Sequence, residues 1–464
     1  MMKRLMVGLF VVLMVGLGIF ISGCDTLVGP TDTTLAPATT TTTAAADTTT
    51  TTSTSTSTST STSTSTTTTT TVPTYTISGQ VVWSAPGWDM PIKGAGTIEA
   101  YDATLAMAVG PSTVGALLDG SGNFTLNLKA GKHLLKLDKP GWSGTTTITV
   151  SGPMSAVISA NLTDWDYAQV QDPGISIWSM TSLSDGTLGV VGNFVVGDAL
   201  AYGRVFRLTP MFIFNELQAP PNGTTEGIVW AGEPLMTDTG ILVADQSVNF
   251  WSTSEVGSFD QIWDEGLSFP NPVGGVTANF TMESFSVAGP KAMPGDPEVL
   301  ATTKDGSLEF LSFGGGTWSE LFPGTATAFY RGLKGAENVD TTTSYIVGWN
   351  PSNISNPNGG VAIAKKMDYN GSTHAALTDL GNLATVATLE QLAAIDCSRD
   401  QQNFYATSLN GTIYASFNGG VSWAVMLEGL PIELLSAKLL TDNYSREAYI
   451  GGSSGMVLKK RTNN

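Results

Sequence analysis

Few side chains in this chain are equipped for covalent or metal chemistry. Its 464 residues hold two cysteines, Cys24 and Cys397, and two histidines, His133 and His374. The histidines fall on separate predicted modules, so they offer no shared metal site, and no metal or cofactor is expected. Two cysteines give no disulfide framework within one chain. His133 sits in a strand-like run and reads as a strand residue with a satisfied ring. His374 stands alone after the turn-like stretch 369–373, and no Gly-x-Ser-x-Gly elbow with a His partner is evident. Cys397 ends a predicted inner strand, Ala394-Ile395-Asp396-Cys397, and reads as a buried inert thiol. Asp119-Gly120-Ser121-Gly122-Asn123 has too few carboxylates, and no terminal Glu, for a calcium loop; it reads as a hairpin turn. A paired-carboxylate hydrolase stays open, because pairing in space is invisible in a linear sequence. No catalytic residue is assigned.

Chemistry is expected at Cys24. Residues 1–23 form a leader: Lys3-Arg4, the apolar run Leu5–Ile21, then Ser22-Gly23. The run is close to membrane-spanning length. Its ending, Ile21-Ser22-Gly23-Cys24, resembles a bacterial lipobox, which implies cleavage before Cys24 and acylation of that residue. Each buried methylene then contributes about 0.8 kcal/mol, so two or three acyl chains anchor the protein stably in a membrane. The alternative is an uncleaved anchor, which also leaves the rest of the chain outside the cytoplasm. Asp25 follows, and by resemblance to enteric lipoproteins it would signal inner-membrane retention.

The elements that follow must carry any binding function. Residues 24–73 are a tether: from Thr31 to Val72 the chain is Thr-rich, with strict Ser-Thr alternation from Ser53 to Thr66. Nearly free of apolar side chains, it cannot offset the entropy of folding and is expected to stay extended, as a stalk or passive spacer open to O-glycosylation. As a flexible chain it spans roughly 35 Å, and at most about 140 Å when stretched.

Beyond the stalk, charge is sparse at 13%, Gly is abundant at 52 residues, and turn residues punctuate short β-rich runs. This is the composition of an all-β protein. Net charge is −18, and loss of Lys3 and Arg4 with the leader takes it to about −20. So acidic a surface argues against nucleic acid and against electrostatic adhesion to anionic lipid.

Residues 74–163 are expected to form a small β-sandwich, with strands at 75–83, 96–101, 122–128, 133–137 and 145–150. Ile77-Ser78-Gly79-Gln80-Val81, Pro91-Ile92-Lys93-Gly94-Ala95, the 118–124 turn, Gly131-Lys132-His133-Leu134-Leu135 and Lys139-Pro140-Gly141-Trp142 together resemble the carboxypeptidase regulatory-like, transthyretin-type module. Ala130 and His133 depart from its usual Pro and Tyr. The resemblance implies a spacer, stabiliser or adhesion unit without catalysis.

Residues 164–464 carry a repeat. Strand pairs recur six times, from 187–194 with 203–208 to 448–452 with 455–459, at spacings of roughly 45 to 60 residues, which fits four-stranded propeller blades. The last unit has three strands, at 432–440, 448–452 and 456–460, while Asp166–Val170 is an orphan strand at the start. Joining them gives a six-bladed β-propeller with 3+1 strand closure and no open edge in the ring. Between two late strands lies Ser416-Phe417-Asn418-Gly419-Gly420-Val421-Ser422-Trp423. It resembles the Asp-box of sialidases, sortilin-type receptors and photosystem assembly factors, with Asn418 for the Asp and Ser422 for the Thr. The resemblance implies a structural turn built from Ser416, Asn418, Gly420, Ser422 and Trp423. Weaker echoes lie at 312–318 and 252–259.

Sialidases also need an Arg triad and an early Phe-Arg-Ile-Pro-type motif. The array's arginines, Arg204, Arg207, Arg331, Arg399, Arg446 and Arg461, lie in no such motif. The long loops instead suggest binding. Those at 195–202, 218–225, 264–279 and 349–358 all join second to third strands or blade to blade, and so share one face. Trp349, Asn350, Asn353, Asp264, Glu265 and Phe269 are the candidate partner-binding residues. The same stretches can also be read as tolerated insertions.

The sequence therefore describes a monomeric, lipid-anchored envelope protein. Its propeller would bind a protein or glycan partner and act as a binding or assembly scaffold. A carbohydrate-active enzyme, glycosidase or lyase, and a purely structural envelope spacer are the alternatives.

Overall fold

The computed structural model describes residues 71–85, 88–103, 114–170, 174–182, 187–196, 199–216, 228–231, 240–245, 250–254, 282–288, 298–312, 317–325, 328–335, 343–351, 361–368, 377–440 and 447–461. Cys24, the leader and nearly all of the stalk lie outside them. So do His374 and the loop candidates Asn353, Asp264, Glu265 and Phe269. Almost every described element is a strand, and among the described residues no helix is long and apolar enough to cross a membrane.

The first eight strands are β1 (Thr74–Ala85), β2 (Trp88–Pro91), β3 (Thr97–Asp102), β4 (Val114–Leu117), β5 (Asn123–Lys129), β6 (Gly131–Asp138), β7 (Trp142–Val150) and β8 (Met154–Leu162). They pair in the order β2-β1-β8-β7-β6-β3-β4, with β5 also on β1. Strand β7 changes partner partway: residues 142–144 pair with β8, and 145–150 with β6. Strict alternation of buried and exposed residues in β5 and β8 gives the sheet one apolar face. That face holds Ile77, Trp83, Ile98, Leu126, Leu135 and Ile158. The strands β2, β4 and β8 add to the five expected from sequence.

Six further sheets follow among the described residues. The first is β10 (Ile175–Ser182), β11 (Leu188–Val196), β12 (Ala199–Leu208) and β13 (Phe214–Glu216). The second is β14 (Ile228–Ala231), β15 (Gly240–Asp245) and β16 (Phe250–Ser254). The third is β17 (Met282–Ala288), β18 (Glu298–Thr303), β19 (Leu308–Ser312) and β20 (Thr317–Phe322). The fourth is β21 (Phe329–Gly335), β22 (Thr343–Asn350), β23 (Val361–Asp368) and β24 (Thr378–Asp379), followed by the short helix α1 (Leu383–Val386). The fifth is β25 (Leu392–Cys397), β26 (Phe404–Ser408), β27 (Ile413–Ser416) and β28 (Ala424–Leu427). The sixth joins β29 (Leu434–Leu439), β30 (Ala448–Gly452) and β31 (Met456–Lys460) to β9 (Trp165–Gln169).

Each sheet is an antiparallel meander. The first strands β10, β14, β17, β21, β25 and β29 lie against one another in that order, and β29 lies back against β10. The result is a closed, propeller-like cycle. All six first strands carry a β-bulge in the same place, where the register against the second strand skips Trp178, Val229, Glu283, Arg331, Ala393 and Leu435 in turn. A bulge bends its strand and re-aims one side chain, so this is a structural repeat that residue identity does not advertise.

The sixth sheet draws its strands from both ends of the array. Strand β9 pairs antiparallel with β31, from Met456↔Gln169 to Lys460↔Trp165. The clasp is reinforced where Arg461 donates to the Asp166 carboxylate at 2.7 Å and to the Thr163 carbonyl at 2.7 Å.

Candidate functional site

The rim expected to bind a partner is described only at Trp349 and Asn350. Both belong to β22 rather than to a loop, because pairing with β23 runs through Trp349↔Ala362 and Asn350↔Val361. The Trp349 indole stacks on Phe329, its cross-strand neighbour, at 4.4 Å between ring centroids. Trp349 is half-buried, so its presentation is fixed by β-sheet packing. The described part of the stretch 195–202, read as a long loop, is instead paired strand: pairing of β11 with β12 continues to Val196↔Ala199. Val195, Val196 and Tyr202 are strand-favouring residue types, which suits pairing over looping.

The Asp-box-like turn joins β27 to β28, the third and fourth strands of its sheet. Asn418 Oδ1 accepts from Ser416 Oγ at 2.9 Å and from the Ser422 amide at 3.0 Å, while its Nδ2 donates to Ser422 Oγ at 2.7 Å. Ser416 Oγ accepts from the Gly420 amide, and the Trp423 indole N–H donates to the Gly420 carbonyl at 3.0 Å. The Trp423 amide donates to Asn382 Oδ1 at 2.9 Å, tying the turn to the residue before α1 in the fourth-to-fifth sheet connection. Every polar side chain of the motif takes part in these hydrogen bonds within the turn. Asn supplies the same acceptor as Asp and adds a donor.

Near the ring axis lies an ionic group that sequence reading missed. Asp396 on β25 lies 3.4 Å from the Lys334 ammonium on β21 and 3.6 Å from that of Lys438 on β29. Its Oδ2 also accepts from the Leu439 amide at 2.7 Å. All three side chains are at most 7% exposed. One carboxylate therefore joins three successive first strands. The bulge residues Arg331 and Trp178, far apart in sequence, also meet, the guanidinium 5.1 Å from the indole centroid. Hydroxyls stitch neighbouring sheets: Thr302 donates to the Arg331 carbonyl at 2.6 Å, and Ser436 to the Ile177 carbonyl at 3.1 Å. Charged residues inside apolar runs, Ala393-Ala394-Ile395-Asp396 and Leu435-Ser436-Ala437-Lys438-Leu439, were the available signal.

The first sheet is fastened to the fifth sheet of the array. Lys139, whose side chain is wholly buried, donates to the Ala95 carbonyl and lies 3.6 Å from Glu428. Burial lowers the Lys139 pKa, and the nearby Glu428 carboxylate opposes that shift. The Trp142 indole donates to the Glu428 carbonyl at 2.7 Å, and the Lys93 amide to the Gly429 carbonyl at 2.8 Å. Gly429 has φ +81°, and a Cβ there would lie 1.8 Å from the Lys93 carbonyl, so only glycine fits. Beneath this clamp the apolar core runs without a break from Trp83 and Trp142 to Leu427, Leu430 and Ile432. Beside it opens a cleft of about 720 Å³.

Elsewhere the candidates are ordinary. His133 is buried on β6, and its Nε2 donates to the Lys129 carbonyl at 2.9 Å. Its Nδ1 is buried without a hydrogen-bond partner, so the ring is only partly satisfied. Cys397 is buried at the end of β25. Asp119 closes its hairpin by accepting from the Ser121 and Asn123 amides, which lowers its pKa. Among the described residues no cluster of three His, Cys, Asp or Glu could hold a metal ion.

No protein-family model matches this chain, and no curated protein matches it. Among solved structures it is similar to YCF48 from Cyanidioschyzon merolae, at 14% identity over 64% of this chain and 99% of that one, with a TM-score of 0.40. A structure of YCF48 bound to D1 peptide is similar at 12% identity over 65% and 96%, with a TM-score of 0.39. A catalytically inactive virginiamycin B lyase from Staphylococcus aureus with quinupristin is similar at 9% identity over 64% and 99%, with a TM-score of 0.38.

Proposed function

We propose that this chain is a membrane-anchored extracytoplasmic scaffold that binds a protein or glycan partner through one face of its propeller-like ring. In this reading the lipid on Cys24 holds the protein at a bacterial membrane, residues 24–73 act as the stalk, and the folded part projects into the envelope. The observation that carries the reading is the buried ionic tie: Asp396 with Lys334 and Lys438, and Arg331 against Trp178, are engaged in joining first strands to one another. Binding then falls to the rim, where Trp349 is held at a strand end by its stack on Phe329.

The test is affinity capture from native envelopes with the full chain, with partners identified by mass spectrometry. Replacing Trp349 and Phe269 together by alanine should abolish capture while the far-ultraviolet circular dichroism stays that of the parent. Unchanged capture would refute this face. A polysaccharide-cleavage screen run on the same protein separates scaffold from enzyme: bound glycan without products supports the scaffold, and turnover overturns it. An unmodified Cys24 in the mature protein would remove the anchor.

A further inference from the structure

The Asp-box-like turn carries an asparagine followed by a glycine, Asn418-Gly419. Such a pair is thermolabile, because glycine has no side chain to keep its backbone nitrogen from the neighbouring amide carbon. In that reaction the Gly419 nitrogen gives its proton to bulk base and attacks Asn418 Cγ. The Cγ–Nδ2 bond breaks, Nδ2 leaves as ammonia, and a cyclic imide remains. Water opens the imide at Cγ to give aspartate, or at the main-chain carbonyl carbon to give isoaspartate. The net change is one amide and one water to one carboxylate and one ammonium ion.

Asn418 is exposed, so water and base reach it. Both reacting partners are nevertheless held. The Asn418 carboxamide is fixed by Ser416 and Ser422 through its oxygen and by Ser422 through its nitrogen. The attacking group, the Gly419 amide, donates to the Gln402 carbonyl at 3.0 Å. Gln402 lies in the turn between β25 and β26, where its own amide donates to Asp400 Oδ1 at 3.0 Å. Attack therefore requires the carboxamide to swing off two serines and the two turns to part.

The products differ in fit. Aspartate keeps an oxygen where Ser416 and the Ser422 amide donate. Isoaspartate adds a methylene to the backbone of the turn and moves the carboxylate off both donors.

We propose that Asn418 is a latent deamidation site gated by the contact between these two turns of the fifth sheet. While the turns are closed the asparagine persists; each local opening exposes it to irreversible conversion. The site is independent of the scaffold reading and of the rim at Trp349.

Peptide mass mapping of the full chain, held at mildly alkaline pH with and without urea, tests this. When opening and closing outpace imide formation, the native rate is the unfolded rate scaled by the open fraction. Asn418 should convert at least about tenfold more slowly in the folded chain than in urea. Asp400→Ala loosens the Gln402 turn, and Ser422→Ala removes the acceptor of Nδ2. Each should raise the native rate several-fold and leave the rate in urea at the parent's value. Far-ultraviolet circular dichroism separates a loosened turn from an unfolded chain. The proposal is overturned if Asn418 converts as fast folded as unfolded, if it stays intact in urea, or if both folded variants convert at the parent's rate.

Discussion

The Arg331 guanidinium lies 5.1 Å from the centroid of the Trp178 indole, and both residues occupy the bulge of a first strand. Sheets that are not neighbours in the cycle thus meet through the two side chains their bulges re-aim. A cation over an indole contributes about 0.5–2 kcal/mol, more when desolvated. Arg331→Met should lower unfolding free energy by about 1–2 kcal/mol in urea titrations, and Trp178→Phe by a similar amount. Loss of neither contact having any effect would mean the bulge residues merely fill space.

Asp396 serves two buried lysines, so its removal should be severe. Asp396→Ala leaves both ammonium groups without their carboxylate, and a loss of about 3–5 kcal/mol is expected. Replacing Asp396, Lys334 and Lys438 together by leucine and two methionines should restore much of that loss, since no buried charge is then left over. Thermal denaturation of the single and triple variants distinguishes an ionic tie from simple packing.

Lys139 gives the clamp a pH dependence. Its folded pKa lies below 10.5, so between that lowered value and 10.5 the unfolded chain holds a proton that the folded chain lacks. Stability from this group therefore rises with pH through that window, and the burial cost is at its full value below it. Lys139→Met should remove this rise, seen as a parent-minus-variant difference in unfolding free energy that grows toward about pH 10.5.

In the Asp-box-like turn, Asn418→Ala deletes an acceptor for two donors and should cost about 1–3 kcal/mol. Asn418→Asp keeps that acceptor, and the Ser422 hydroxyl can rotate to donate, so it should stay within about 0.5 kcal/mol of the parent. Gly420→Ala should be worse than a surface substitution, because φ is +79° and the new methyl would lie 2.8 Å from Leu380 Cδ1. Urea midpoints rank the three.

Closure of the cycle rests on β9 and β31. Truncation after Gly455 removes β31 and exposes β9 and β30 as bare edges. The truncated chain should lose cooperative unfolding and self-associate, as read by calorimetry and size-exclusion chromatography. A monomer with the parent's transition would show that the ring does not need its clasp.

Much of this architecture was legible in the sequence because it is local. Recurring strand pairs separated by small-residue turns placed most strands of the array, Gly and Asn marked the hairpins, and the orphan strand at Asp166 found its place by counting. Ser416–Trp423 could be read as a turn because its side-chain hydrogen bonds stay within eight residues, apart from the tie to Asn382. Strand β8 escaped because Ser and Ala dilute its pattern and its parallel partner β1 is distant in the chain. Asp396 with two lysines, Trp142 with Glu428, and Gln402 with Gly419 depend on residues from separate strands or turns meeting in space. Those meetings are set by how sheets pack, which no local periodicity encodes. Composition and turn chemistry determined a β-rich, acidic, repeat-built chain. Only the tertiary structure decided which charges are buried together and which turns hold one another closed.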